Sequence, residues 1–136
     1  MSEADILELL RACNAQITTL YSQLISITFA MVVAIYYFLN RAPLALKVLS
    51  FLIYLVGFMM FVGLMLEESN IKARALLALA NLGDQASEVT QGILVLHQSW
   101  LFKTTAVLLN LGLWMLPSAT AFLLFVWRKP PAAQSA

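Results

Sequence analysis

Apolar positions recur with helical spacing from the start of the chain. Ile6, Leu10, Cys13, Ile17, Leu20, Leu24, Ile27 and Met31 follow one another at steps of 4, 3, 4, 3, 4, 3 and 4. A seam of that kind predicts one long helix packed along a single face. Ser2-Glu3-Ala4-Asp5 fits a capping box, which puts the helix start at Ser2. Glu3, Asp5, Glu8, Arg11, Asn14 and Gln16 cover the other faces at first, whereas residues 24–39 are almost all apolar. The helix therefore passes from water into lipid. A second stripe, Ser22, Ser26, Ala30 and Ala34, places small residues four apart, which lets helix backbones approach closely. It serves packing within the chain or between copies; packing against the other two helices is the expectation.

Asn40-Arg41-Ala42-Pro43 reads as a tight turn, with Pro43 suited to the first turn of a second helix. Residues 48–66 are nineteen positions without a charge, between Lys47 and the pair Glu67-Glu68. About 20 apolar residues cross a bilayer as a helix. The helical pattern then continues, more polar, to Leu82, with Ile71, Ala75, Ala78 or Leu79, and Leu82 as its core stripe and Glu68 and Lys72 placed to pair. Gly83 supplies a left-handed residue and Asp84 a cap for the next helix. The third helix carries Val89, Ile93, Leu96 and Trp100 on one face, then stays uncharged over residues 104–127. Arg128-Lys129 and Pro130-Pro131 end it, and a kink is expected at Pro117.

Composition strengthens this picture. The chain of 136 residues is 62% hydrophobic and 11% charged, with mean hydropathy +0.86. Soluble domains sit near 45–50% apolar and about 25% charged. The expected fold class is an all-α membrane protein: three long helices in one transmembrane bundle with a water-exposed helical stalk on one side. The domain is residues 1–129, with spans near 22–39, 45–66 and 104–127 and a stalk from 3–20 and 67–102; residues 130–136 form a disordered tail. The three wet arms each measure about 24–27 Å at 1.5 Å per residue, and this match favours one continuous bundle.

Charge places the ends. Net charge is +1, so there is no basic footprint for nucleic acid. The acidic start, MSEADILELL, does not resemble a basic secretory signal, and no lipidation motif is present. Cys13 is the single cysteine and forms no intrachain disulfide. Arg41, Lys47, Arg128 and Lys129 crowd the short side, which is expected in the cytoplasm, with stalk and N-terminus outside a bacterial inner membrane. Tyr36, Tyr37 and Trp127 mark one interface, and Tyr21, Trp100 and Phe102 the other.

Few residues suggest chemistry. His97 is the single histidine; a pH-sensitive contact with Glu67 or Glu68 competes with a plain half-exposed position, which is the expectation. Glu67, Glu68 and Lys103 share a membrane face, where they anchor the interface and pair, or form an acidic pore mouth if copies ring an axis. Asn110, Trp114, Ser118 and Ala121 share a face of the third helix, with interhelical bonding the expected role of Asn110. No charge lies deep in a span, and no phosphate loop, nucleophile elbow, HExxH or CxxC occurs. Neither catalysis nor a cofactor or metal is expected. The chain reads as a non-catalytic assembly or accessory subunit partnered by the bilayer and by other subunits or copies of itself. A homo-oligomeric channel is the alternative.

Overall fold

The computed structural model describes residues 2–85 and 87–127. Among these the chain is all-helical, with four helices: α1 (Glu3–Tyr37), α2 (Leu44–Ala80), α3 (Glu88–Gln98) and α4 (Trp100–Phe125). Three of them, α1, α2 and α4, are long and apolar enough to cross a membrane. Residues 128–136, with the expected basic stop, double proline and tail, lie outside the described part.

The local signals explain most helix ends. Ser2 caps α1 reciprocally: its Oγ accepts from the Asp5 amide at 3.3 Å, while the Asp5 carboxylate accepts from the Ser2 amide at 2.9 Å. The chain leaves α1 through a single 3-10 turn at Leu39–Arg41. Pro43 then sits one residue before α2, at its N-cap. The Lys47 ammonium closes this turn by donating to the Asn40 carbonyl at 3.1 Å. Tyr36 stacks on Trp127 with ring centroids 6.2 Å apart, so the aromatic residues of this end gather as a group. At the other end of α2, Gly83 has φ +52°, the left-handed conformation that glycine adopts without a Cβ penalty.

The α1 seam is the buried face. Ile6, Leu10, Cys13, Leu20 and Leu24 are buried, and Ile17, Ile27 and Met31 are half-buried. Three clusters run along the antiparallel α1–α2 pair. Ile6 and Leu10 meet Ala75 and Leu79 at the α1 N-terminal end; Leu79, not Ala78, is the core residue there. Leu24 meets Tyr54, Phe58 and Val62 in the middle, joined by Leu113 of α4. Ile35 and Leu39 meet Leu124 near the turn. Where such a side chain leaves water, its burial contributes about 1.5–3 kcal/mol. In the middle cluster the Thr28 and Tyr54 hydroxyls lie 2.9 Å apart, a buried bond between α1 and α2.

The third helix departs from the single rod that the sequence suggests. It breaks at Ser99, whose backbone is extended (φ −64°, ψ 145°). The Ser99 hydroxyl donates to the Leu96 carbonyl at 2.7 Å and accepts from the Phe102 amide at 3.4 Å. One side chain thus closes α3 and caps α4. Past that point the helix runs unbroken through Pro117, which is buried. The expected cap at Asp84 concerns a side chain outside the described part; the residue that caps α3 is Ser87, accepting from the Thr90 amide at 3.4 Å.

The phase of α3 also differs from expectation. Val89, Leu96 and Trp100 are exposed, and Ile93 is half-buried. The residues turned inward are Thr90, fully buried, with Ile93, Leu94 and His97 half-buried. The physical reason is a polar tie between the two helix starts. The Glu3 carboxylate accepts from the Ser87 amide at 3.1 Å, from the Ser87 hydroxyl at 2.5 Å, and from the Thr90 hydroxyl. These bonds hold the Glu3 carboxyl below its usual range of about 4.5. A carboxylate with three donors outweighs a weak apolar stripe in fixing which face of a short helix points in.

Candidate functional site

A concavity lies where α4 leaves the α1–α2 pair. From Trp100 to Leu111 every residue of α4 is exposed, and its burial begins only at Gly112 and Leu113. Gly112 is where α4 meets α1: a Cβ built there would lie 3.5 Å from the Tyr21 hydroxyl. Above that contact the helices enclose a cleft of about 790 Å³. That size lies within the range of about 300–1,000 Å³ found for small-molecule sites.

Its walls are apolar inside and polar at one mouth. Ile25, Val62, Leu109 and Leu113 are among its apolar lining, and Tyr21, Ser22, Ser26 and Asn110 among its polar lining. Ser69, Lys72 and His97 stand at the mouth, over Phe102. The hydroxyls of Ser26 and Ser69 turn back to their own helices, donating to Ser22 and Met65 carbonyls at 3.0 and 2.8 Å. The Tyr21 hydroxyl and the Asn110 amide have no hydrogen-bond partner among the described residues.

Lys72 is the electrostatic centre of the mouth. Its Nζ donates to the Asn14 side-chain oxygen at 2.7 Å and lies 5.6 Å from the centre of the Phe102 ring. Burial pushes its pKa down, and the neighbouring Cys13 partly opposes this. The expected pairing with Glu68 is absent, and no carboxylate lies within ion-pairing distance of Lys72 among the described residues. Glu68 is turned instead toward Cys13 of α1, where burial first and the Glu68 contact second raise the thiol above its usual 9.0.

His97 reaches the same mouth as Ser69 but does not meet an acid. Its ring packs on Phe102 with centroids 4.0 Å apart. Burial and the Lys72 charge lower its pKa, against a backbone bond to Ile93 that raises it. The carboxylate contact considered for His97 is therefore replaced by a cation on the facing helix.

The other candidate residues separate. Glu67 is exposed and Glu68 half-buried against α1, so the two carboxylates do not share one direction. Lys103 is exposed and makes no ion pair among the described residues. Ser118 is exposed, its hydroxyl donating to the Trp114 carbonyl at 3.0 Å. The small-residue stripe is divided: Ser22 and Ser26 edge the cleft, Ala30 is exposed, and Ala34 packs beside the Ile35–Leu39–Leu124 cluster. Lys72 is the site residue that the sequence reading did not single out. The signal was its position one turn from Ala75 and Leu76, on the core side of α2. Among the described residues no cluster of three potential metal ligands occurs. Comparison with known protein families, with curated proteins and with solved structures finds no match.

Proposed function

We propose that this is a non-catalytic three-pass membrane protein that works as an assembly or accessory subunit. In this reading α1, α2 and α4 span the bilayer, and the Glu3, Ala80 and α3 ends form a water-exposed stalk. One observation carries it. Val89 and Leu96, seven residues apart, share a face of α3 and are 67 and 62% exposed, and Trp100 at the start of α4 is 71% exposed. Exposed apolar residues at lipid depth need no explanation, because lipid covers them. On a stalk in water they mark a surface that another protein covers. Val89 adjoins Thr90, whose hydroxyl is held by Glu3 at the start of α1, and Glu3 lies nineteen residues before Ser22, about 28 Å along α1, well beyond the interfacial layer.

The stalk faces outward and the Arg41–Lys47 turn faces the cytoplasm, by the crowding of basic residues on short loops. A bacterial inner membrane is the setting this supports. Co-purification from mild detergent tests the function. The chain should bring down a larger membrane partner in fixed ratio, and Val89→Ser with Leu96→Ser should release it. A chain that emerges alone and monomeric overturns the proposal. A closed ring of identical chains that conducts ions in a planar bilayer overturns it in favour of a channel.

A further inference from the structure

The cleft beside α4 is a separate surface from the α3 face, and its chemistry is ordered along its length. At the mouth stands the Lys72 ammonium, half-buried, with a neutral amide and a ring as its neighbours. An ammonium carries three donors, and Asn14 takes one. No acid of the described residues lines the cleft to balance this charge. Below the mouth, the unpartnered Tyr21 hydroxyl and Asn110 amide offer hydrogen bonds. Below them the walls are hydrocarbon, at Ile25, Val62 and Leu113.

Cation, hydrogen-bonding groups and hydrocarbon, in that order, match phosphate, glycerol ester and acyl chain. The depth agrees as well. Resting on the three-pass reading above, the bilayer surface lies near Glu67. Lys72 is five residues further on, about 7 Å along the helix axis. The headgroup layer on each side of a bilayer is about 5–7 Å thick. A zwitterionic headgroup would bring a second cation toward Lys72 and His97, with no carboxylate in the cleft to receive it.

We propose that the cleft holds one acidic phospholipid, its phosphate on Lys72 and one acyl chain between Ile25, Val62 and Leu113. The opening left by α4 is then a built site, and the lipid completes the packing of the third span.

The test is native mass spectrometry of the full chain released from nanodiscs of equimolar phosphatidylglycerol and phosphatidylcholine. One phosphatidylglycerol per chain should be retained in preference to phosphatidylcholine. Lys72→Gln should lower that preference about tenfold, the equivalent of about 1.4 kcal/mol, a little under the usual worth of a hydrogen bond to a charged group. Ala106→Trp, at an exposed position on the cleft wall, should abolish retention of either lipid without entering the core. Equal retention of the two lipids, an unchanged preference in Lys72→Gln, or a second copy of the chain in place of lipid overturns the proposal. Its failure is separable from that of the functional reading. A chain that resists alkaline extraction from membranes and still captures its partner, yet retains no acidic lipid, sinks this inference alone.

Discussion

The buried bond between Thr28 and Tyr54 makes an asymmetric prediction. The hydroxyls lie 2.9 Å apart, and the Thr28 hydroxyl also lies 2.9 Å from the Leu24 carbonyl, which can only accept. Thr28 has one hydrogen and spends it on Leu24, so Tyr54 is the donor in the interhelical bond. Tyr54→Phe removes that donor and leaves Thr28 satisfied by its own helix. The cost should be that of one interhelical bond in a membrane protein, about 0.6 kcal/mol on average. Thr28→Val removes the acceptor and leaves the Tyr54 hydroxyl buried without a partner, a penalty of about 1–3 kcal/mol. The smaller deletion should therefore be the more damaging. Changing both residues removes the orphaned group, so the double variant should recover much of the Thr28→Val loss. Reversible unfolding in mixed micelles, following helix content against the denaturing detergent fraction, measures all three. If Thr28→Val costs no more than Tyr54→Phe, or if the two losses simply add, the donor assignment is wrong.

Further outcomes follow from α3 and the residues packed against it. Burial and Lys72 lower the His97 pKa below its ordinary 6.5. The folded state then binds the proton less readily than the unfolded one, so the stability held above pH 6.5 is lost as pH falls through the lowered folded value. The protection of the α3 amides, exchange being corrected for the slower intrinsic rate in acid, should fall from pH 7.5 to 5.5, and His97→Gln should flatten that response; unchanged protection in the wild type refutes it. The Glu3 tie titrates separately, below 4.5: it is intact above that pH and loosens as pH falls through the lowered folded value. Glu3→Gln should free α3 at neutral pH, seen as the same loss of protection. Cys13 is buried, and burial raises its thiol pKa, so both access and thiolate formation are reduced. A maleimide should label it more slowly than a cysteine placed at exposed Glu8 in a Cys13→Ser background; equal rates refute it. Gly83→Ala forces a Cβ into φ +52° and should cost about 1 kcal/mol in thermal unfolding, with Gly83→Asn costing less.

What the sequence reveals here depends on the range of the interaction. The α1 seam is legible because its eight positions repeat one geometric rule, and the structure buries or half-buries each of them. The Ser2 cap and the left-handed Gly83 are equally local, each decided within a few residues. Leu79 against Ala78 is undecided in the sequence, because neighbouring positions on a helix differ by only about 100°; the facing Ile6 and Leu10 settle it. The break at Ser99 hides in a stretch whose propensity for helix is unexceptional. It is visible only as a serine able to serve two helix ends. The α3 face is misassigned because Glu3 and Thr90 are far apart in sequence, and periodicity carries no information about such a bond. The cleft has no sequence signature, since it arises from the angle at which α4 leaves its neighbours.

Gly112 is the point along α4 at which its burial against the α1–α2 pair begins. Gly112 rests against Tyr21, and the part of α4 beyond it toward Trp100 is exposed along its length and touched near its end by His97 and Lys72 at Phe102. The arrangement is a lever with its fulcrum at Gly112. Its exposed arm is twelve residues, about 18 Å, so a tilt of about 6° at the fulcrum swings the Trp100 end by about 2 Å. Alanine at 112 would meet Tyr21 at an ordinary contact distance, whereas a bulkier residue would pry the arm outward. Because Ser99 couples that arm to α3, whatever enters or leaves the space beneath it also moves the apolar face offered above. The width of the gap and the pose of α3 are thus set together.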